Sequence, residues 1–289
     1  MKHPARILVL GASGRLGAML QRHWNDAMLH PVWQYRAALR DPVRTGEALI
    51  FDPLDGPPTH DPVDLVLGLA GTVPGKGKLS LNTQLALAAV NCASALGARH
   101  VMLSSTAAVY GASTAPLGEG DTPCPCSAYG LAKLEMEDRA LALAARSRVA
   151  ATVLRIGNVA GADALLGQMG TRRILDRFDS GHGPVRSYIG PHAMSTVLQA
   201  LIRRACAGAP LPERLNLALQ GGVAMADLCL AAGLKVAWQP APAAALETVV
   251  LDVRRLAQLV PVPDADARAI VADWKADMNM SRGRGRRAK

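Results

Sequence analysis

The strongest constraint on this chain is a glycine triplet set directly behind its first apolar run. Arg6–Leu10 is short and almost wholly aliphatic, and Gly11-Ala12-Ser13-Gly14-Arg15-Leu16-Gly17 follows it without a spacer and opens a helix. Positions without side chains let the backbone turn sharply, approach a ligand and seat the helix closely on the strand. The helix start then offers unpaired N–H groups and the positive end of its dipole, both suited to a pyrophosphate. Gly11, Ser13, Gly14, Arg15, Leu16 and Gly17 are therefore the expected phosphate loop of a nicotinamide dinucleotide.

Beyond the loop, aliphatic runs at 32–36, 48–51, 65–69, 101–104 and 151–156 alternate with alanine- and leucine-rich stretches, chiefly 79–96 and 129–146. The latter carry apolar residues at three- and four-residue spacing, as helices do. Near-continuously apolar strands between helices indicate a parallel sheet covered on both faces, and right-handed crossovers wind it doubly. The expected fold class is α/β: a Rossmann-type doubly wound parallel sheet with a small α+β substrate lobe at the C-terminal end. The alternation fades after Ile156, where Gly and Pro become frequent. The expected division is a dinucleotide-binding domain over 1–157, a smaller substrate-binding lobe over 158–280 sharing its core, and a basic disordered tail over 281–289.

Composition excludes several classes. Of the net charge of +9, five units sit on Arg282, Arg284, Arg286, Arg287 and Lys289, leaving +4 on the remainder. With no nucleic-acid module elsewhere, this reads as a solvated tail, and no nucleic-acid partner is expected. No apolar run reaches the roughly 18–20 residues of a membrane span, so no membrane partner is expected. The N-terminus enters a short apolar segment with no small-residue cleavage site, which suggests a cytoplasmic protein. Five scattered cysteines make no disulfide framework, and Cys124-Pro125-Cys126 lacks a second ligand cluster, so no metal is expected.

About twenty residues past the glycine loop, an acidic side chain would bind the ribose 2′-hydroxyl of NAD. This chain has Arg36 there, Arg40 four residues later and Arg15 inside the loop. A guanidinium forks onto a phosphate, so NADP is the preferred cofactor over NAD. Asp52, after the third strand, suits the adenine amino group.

Tyr129 and Lys133 stand four residues apart, on one helix face. A phenol of ordinary pKa, near 10, is a poor base at neutral pH, but a neighbouring ammonium and the positive nicotinamide ring favour the phenolate. Upstream, Ser104-Ser105-Thr106-Ala107-Ala108-Val109-Tyr110-Gly111 directly follows the fifth strand. With the glycine loop, Leu69-Ala70-Gly71, Asn82, the Tyr129–Lys133 segment and Leu154-Arg155-Ile156-Gly157-Asn158, the set resembles an extended short-chain dehydrogenase/reductase of the NAD-dependent epimerase/dehydratase family. The resemblance covers roughly residues 5–190 and implies roles residue by residue. Tyr129 would be the general acid/base and Thr106 its hydroxyl partner, with Ser105 close enough to share that task. Lys133 would hold the nicotinamide ribose. Leu69, Ala70, Gly71, Ser104 and Ser105 would line the cofactor, and Ser105, Asn158 and Arg186 would contact substrate, the last two at a nucleotide-sugar diphosphate.

Two departures narrow the reaction. Relatives that dehydrate sugar nucleotides carry an Asp-Glu pair after the catalytic threonine; here Ala107 and Ala108 cannot move protons, which argues against 4,6-dehydration. Downstream of Arg186-Ser187-Tyr188-Ile189, Gly190-Pro191 replaces the usual acidic segment, which opposes a sugar-nucleotide substrate. His182 and His192 are the lobe's histidines, read as solvated loop residues. The leading expectation is an NAD(P)-dependent oxidoreductase acting on a small carbonyl or alcohol. The alternatives are a nucleotide-sugar epimerase with retained NAD and a non-catalytic dinucleotide sensor. The helical stretches 79–96 and 129–146 are apolar enough to allow a homodimer.

Overall fold

Each aliphatic run in the first half of the chain becomes a strand hydrogen-bonded into one parallel sheet. The computed structural model describes residues 3–36 and 47–287. Within them, β1 (Ala5–Leu10), α1 (Arg15–His23) and β2 (Leu29–Tyr35) form the first crossover unit. Then come β3 (Glu47–Ile50), β4 (Leu65–Gly68), α2 (Leu81–Ala95), β5 (His100–Thr106), α3 (Ala128–Arg146) and β6 (Ala150–Ile156). Arg40, expected beside Arg36, lies outside the described residues. Side chains alternate between two cores, as strand geometry requires. Ile7 and Val9 join Met19, Leu20 and Leu198 on one face. Leu8 and Leu10 meet Ala89, Val90, Leu103 and Met136 on the other.

The second half contributes β7 (Asn158–Val159), β8 (Arg172–Arg177), β9 (Val185–Arg186), β10 (Tyr188–Ile189), α4 (Pro191–Cys206) and β11 (Arg214–Leu217). β12 (Val223–Ala224), α5 (Met225–Ala232), β13 (Lys235–Pro240), β14 (Thr248–Val249), α6 (Arg254–Ala257) and α7 (Ala267–Arg287) follow. The main sheet has seven strands in the order β11-β6-β5-β4-β1-β2-β3. Its order reverses between β1 and β4, and a crevice opens at the carboxyl ends of strands on such a seam.

Two parts of the sequence-based division change. The stretch 158–280 is not all lobe: α4 packs against α1, and β11 pairs in parallel with β6, Leu215 opposite Leu154. The reason is burial, since Leu215 and Leu217 are both at 0% exposure and find that environment only at the sheet edge. The lobe proper is the remaining small sheets, β7 with β10, β9 with β12 and β14, and β8 with β13. The basic segment from 281, read as disordered, continues α7 as far as Arg287. Arginine favours helix, and the two glycines there weaken a helix without stopping it. Among the described residues, no helix is long and apolar enough to cross a membrane.

Candidate active site

The glycine loop turns at Gly11, whose φ of +86° is open to glycine at little cost. A Cβ on Gly11 would stand 2.6 Å from the Ala70 backbone nitrogen, and one on Gly17 would collide with the Gly11 carbonyl. At Gly14 the one neighbour is Gly11 O at 3.2 Å, so the outer side of the loop stays open. Gly14 caps α1 without a side-chain hydrogen bond, which leaves the first-turn N–H groups to an external acceptor. These residues fit a dinucleotide pyrophosphate. Ser13 is exposed on the loop and Leu16 packs partly into the core. Arg15 reaches across to donate to Ala162 O at 2.8 Å, joining the loop to the segment after β7.

At the end of β2, Gln34 is buried; its Oε1 accepts from Gly11 N at 3.0 Å and its Nε2 donates to Phe51 O at 2.7 Å. Arg36 follows, with its Nε 3.4 Å from Asp52 Oδ2 and its side chain 57% exposed. The Asp52 carboxylate also accepts from Leu54 N at 3.0 Å. The residue expected at the adenine thus caps its own turn and neighbours the arginine expected at the 2′-phosphate.

The reacting end is assembled by backbone contact. Ser127 Oγ accepts from Gly130 N at 3.0 Å and starts α3. Gly130 is pressed against the Ala108 carbonyl so closely that a Cβ there would overlap it. That contact brings Tyr129 beside the end of β5, where its phenol neighbours the Thr106 hydroxyl. Thr106 Oγ1 also accepts from Ala108 N at 3.2 Å, fixing the turn Ala107–Val109. Burial pushes the Tyr129 phenol above its ordinary value, and the Thr106 hydroxyl pulls it partly back. One turn on, Lys133 is 5% exposed and donates to Ser104 O at 2.7 Å. Burial lowers its ammonium to about 8, against the pull of Glu137. A narrow pocket behind this lysine is lined by Leu10, Gly68, Ala70, Asn82 and Ser104. Leu69 donates its N–H to Leu10 O at 3.0 Å, and Asn82 holds the chain after Gly71 through Thr72, with its amide Nδ2 on Thr72 O and its Oδ1 on Thr72 N, both 3.1 Å.

The family model for the NAD dependent epimerase/dehydratase family matches residues 7–213. The chain belongs to that family. A curated relative, UDP-glucose 4-epimerase of Azospirillum brasilense, is 31% identical over 174 residues. The match takes in 55% of this chain and 50% of the relative, so the chain spans about half the length of the relative it matches. The structure of UDP-glucose 4-epimerase from Brucella ovis in complex with NAD superposes with a TM-score of 0.77 at 18% identity, covering 93% of this chain and 97% of that one. UDP-glucose-4-epimerase from Stenotrophomonas maltophila, with bound NAD and formylated UDP-arabinopyranose, gives 0.76 at 20%, covering 96% and 99%. At such identities the likeness establishes the fold, and it is the Rossmann-type sheet the sequence predicted.

Three residues expected to contact cofactor or substrate have the following surroundings. Ser105 is turned away from the reacting end: it is 6% exposed and donates to Glu137 Oε1 at 2.5 Å. Strand alternation is the reason, because Leu103 and Ser105 share the α2/α3 face. Arg186 is held by main-chain carbonyls, donating to Val185 O and Glu247 O at 2.8 Å and to Leu246 O at 2.5 Å. In this arrangement its guanidinium closes a loop of the lobe instead of standing free for a diphosphate. Asn158 lies beside Tyr188, its partner in the β7–β10 register, and the Tyr188 hydroxyl donates to Asp163 Oδ2 at 2.7 Å. His182 and His192 are both exposed, and the His192 ring also packs edge-on against His23 at 5.4 Å. Cys124 and Cys126 are exposed, and no metal-binding group of three ligands occurs among the described residues. A broad open cleft lies between the loop after Tyr110 and β14, lined by Ala112, Ser113, Thr114, Glu247 and Thr248.

Proposed function

We propose that the chain catalyses NAD(P)-dependent hydride transfer at a carbinol or carbonyl carbon, with Tyr129 as the acid/base. One observation carries this: Tyr129 neighbours the Thr106 hydroxyl at the carboxyl end of β5, with the buried Lys133 one turn further on the same helix. The bound nicotinamide supplies or accepts the hydride. Thr106 Oγ1 orients the substrate oxygen, and Tyr129 Oη takes its proton in oxidation or returns it in reduction. Without a cation nearby the raised phenol stays protonated at neutral pH, so the Lys133 ammonium and the oxidised ring are what prepare it as a base. Lys133 holds the nicotinamide ribose in this reading, and Gly11–Gly17 holds the pyrophosphate. Ala107 and Ala108 supply no carboxylate for dehydration. Arg36 favours NADP, sharing its charge between Asp52 and a 2′-phosphate.

A second reading, a nucleotide-sugar epimerase with retained NAD, is favoured by the relative from Azospirillum brasilense. The carbonyl-bound guanidinium of Arg186 weighs against it. The reading includes a homodimer through α2 and α3, where Leu131 is 61% exposed on the outer face.

Tyr129→Phe tests the chemistry: dinucleotide affinity is retained and turnover on a carbonyl or alcohol panel is lost. Full turnover in that variant would exclude Tyr129. Native mass spectrometry of freshly purified protein separates the readings, since retained NAD indicates the epimerase and an empty site that fills with NADPH the reductase. Sedimentation velocity of the same sample reports the dimer.

A further inference from the structure

Beneath the Thr106–Tyr129–Lys133 set lies a charged cluster that hydride transfer itself leaves unused. Glu137 is at 0% exposure and Arg155 at 1%. Arg155 forks onto the carboxylate, Nη2 to Oε2 at 2.7 Å and Nε to Oε2 and Oε1 at 3.1 and 3.2 Å. The hydroxyl of Ser105 occupies Oε1. Arg155 Nη1 donates to Tyr110 Oη at 2.9 Å, and Tyr110 Oη donates to Asn216 Oδ1 at 2.9 Å. Asn216 in turn donates to Leu117 O at 2.8 Å and Asp252 O at 3.0 Å, and its backbone N–H goes to Glu119 Oε1 at 2.9 Å. The chain of bonds runs unbroken from α3 to the loops that border the lobe.

Such a cluster is a poor source of stability, because desolvating two charges offsets most of their attraction. What it fixes is position. Ser105 is the strand neighbour of Thr106, and Glu137 lies one helical turn past Lys133 on the same face. One carboxylate therefore reaches both the strand end and the helix that make up the proposed site.

We propose that Glu137 is a positioning residue: it ties the end of β5 to α3 through Ser105 and sets a negative charge one turn from the Lys133 ammonium. This rests on the hydride-transfer reading above. The groups facing Lys133 are Tyr129 and Glu137 on its own helix, the Ser104 carbonyl on β5 and the neutral Asn82 amide on α2. Glu137 faces Ser105, Lys133, Arg155 on β6 and Arg214 on β11, whose Nε is 3.5 Å from Oε2 while its Nη2 binds Asp138 at 2.7 Å. Burial pulls the Lys133 ammonium down, and the Glu137 charge opposes it.

The test is an NMR titration of the lysine Nζ groups in cofactor-free protein, paired with NADH and NADPH affinity read by nicotinamide fluorescence. In Glu137→Gln, Lys133 titrates roughly one pH unit below the wild type, the effect of losing one close opposite charge. Its dinucleotide affinity falls more at mildly alkaline than at neutral pH. Glu137→Asp keeps the charge and restores most of the wild-type midpoint. A folded Glu137→Gln protein with an unchanged Lys133 midpoint overturns the proposal. If that variant does not fold, Ser105→Ala, which cuts the strand tie and leaves the ion pair, weakens dinucleotide binding by about threefold or more in protein that still melts cooperatively, at a Tm several degrees lower. Unchanged affinity in Ser105→Ala likewise overturns it. Neither measurement needs turnover, so an active Tyr129→Phe enzyme would sink the hydride-transfer reading without deciding these outcomes.

Discussion

Lys133 carries a pH dependence whose two consequences have opposite sign. Burial lowers its ammonium to about 8, so the folded protein loses this charge as pH rises through that value. With the ammonium holding the nicotinamide ribose, dinucleotide affinity falls across the same range, which a fluorescence titration at several pH values follows. Stability moves the other way. The unfolded chain keeps its lysines protonated to about 10.4, so between 8 and there it binds more protons than the native state. The contribution of Lys133 to stability therefore rises with pH in that window, and below 8 its full desolvation cost is present. Lys133→Met accordingly raises Tm at neutral pH while weakening the dinucleotide, each kcal/mol recovered being worth roughly 2–4 °C in a chain of this size. A lower Tm in calorimetry would contradict the burial argument. The placement of Tyr129 and Lys133 one turn apart on α3 was legible because spacing on a helix is a local property. The place of Ser105 was not, since one residue of strand phase decides which face it meets. Arg155 did leave a signal, a lone charge inside the otherwise apolar β6, but Glu137 is one of several charges along α3, and their pairing is a tertiary fact.

At the scale of elements, two close approaches decide how helices meet the site. Gly130 lets α3 start against the Ala108 carbonyl, so Gly130→Ala forces the helix outward and costs about 1–3 kcal/mol of packing strain. The phenol then leaves Thr106, and turnover drops far more than dinucleotide affinity; equal losses in both would point to general unfolding instead. On the opposite face, α7 is pinned by Asp277, which receives Arg22 Nε and Nη2 at 2.7 Å each and His23 Nε2 at 2.9 Å. Asp273 on the same helix caps α4, accepting from His192 N at 2.9 Å and Ala193 N at 3.1 Å. Gly190 makes room for that carboxylate, since a Cβ there would overlap it. Asp277→Ala leaves the Arg22 charge poorly solvated and is expected to cost about 3–5 kcal/mol, measured by urea unfolding. A loss under 1 kcal/mol would mean that α7 is held by its apolar contacts alone. None of this was visible in sequence, because Arg22 and Asp277 are separated by 255 positions.

The whole molecule is closed by its second half. The aliphatic runs before Ile156 were enough to predict six strands of the sheet, but β11 is four residues long and alternates two leucines with an arginine and an asparagine. Nothing in so short a segment distinguishes a sheet strand from a loop; the pairing of Leu215 with Leu154 does. The consequence is that the dinucleotide half is not an independent body. Met194, Leu198, Leu201 and Ile202 of α4 cover the same core as Ile7, Val9 and Leu67, and Ile270, Val271 and Trp274 of α7 close it from outside. Ending the chain at Cys206 would remove β11 and α7 together, baring the edge of β6 and the apolar side of α4. Fully burying one such side chain is worth roughly 1.5–3 kcal/mol, and at least five are uncovered, which exceeds the 5–15 kcal/mol typical of a whole domain at its lower end. Residues 1–206 are therefore expected to lack a cooperative thermal transition and to bind a hydrophobic dye. A soluble fragment that melts sharply and binds dinucleotide would show instead that six strands suffice, and that the second half serves the substrate alone.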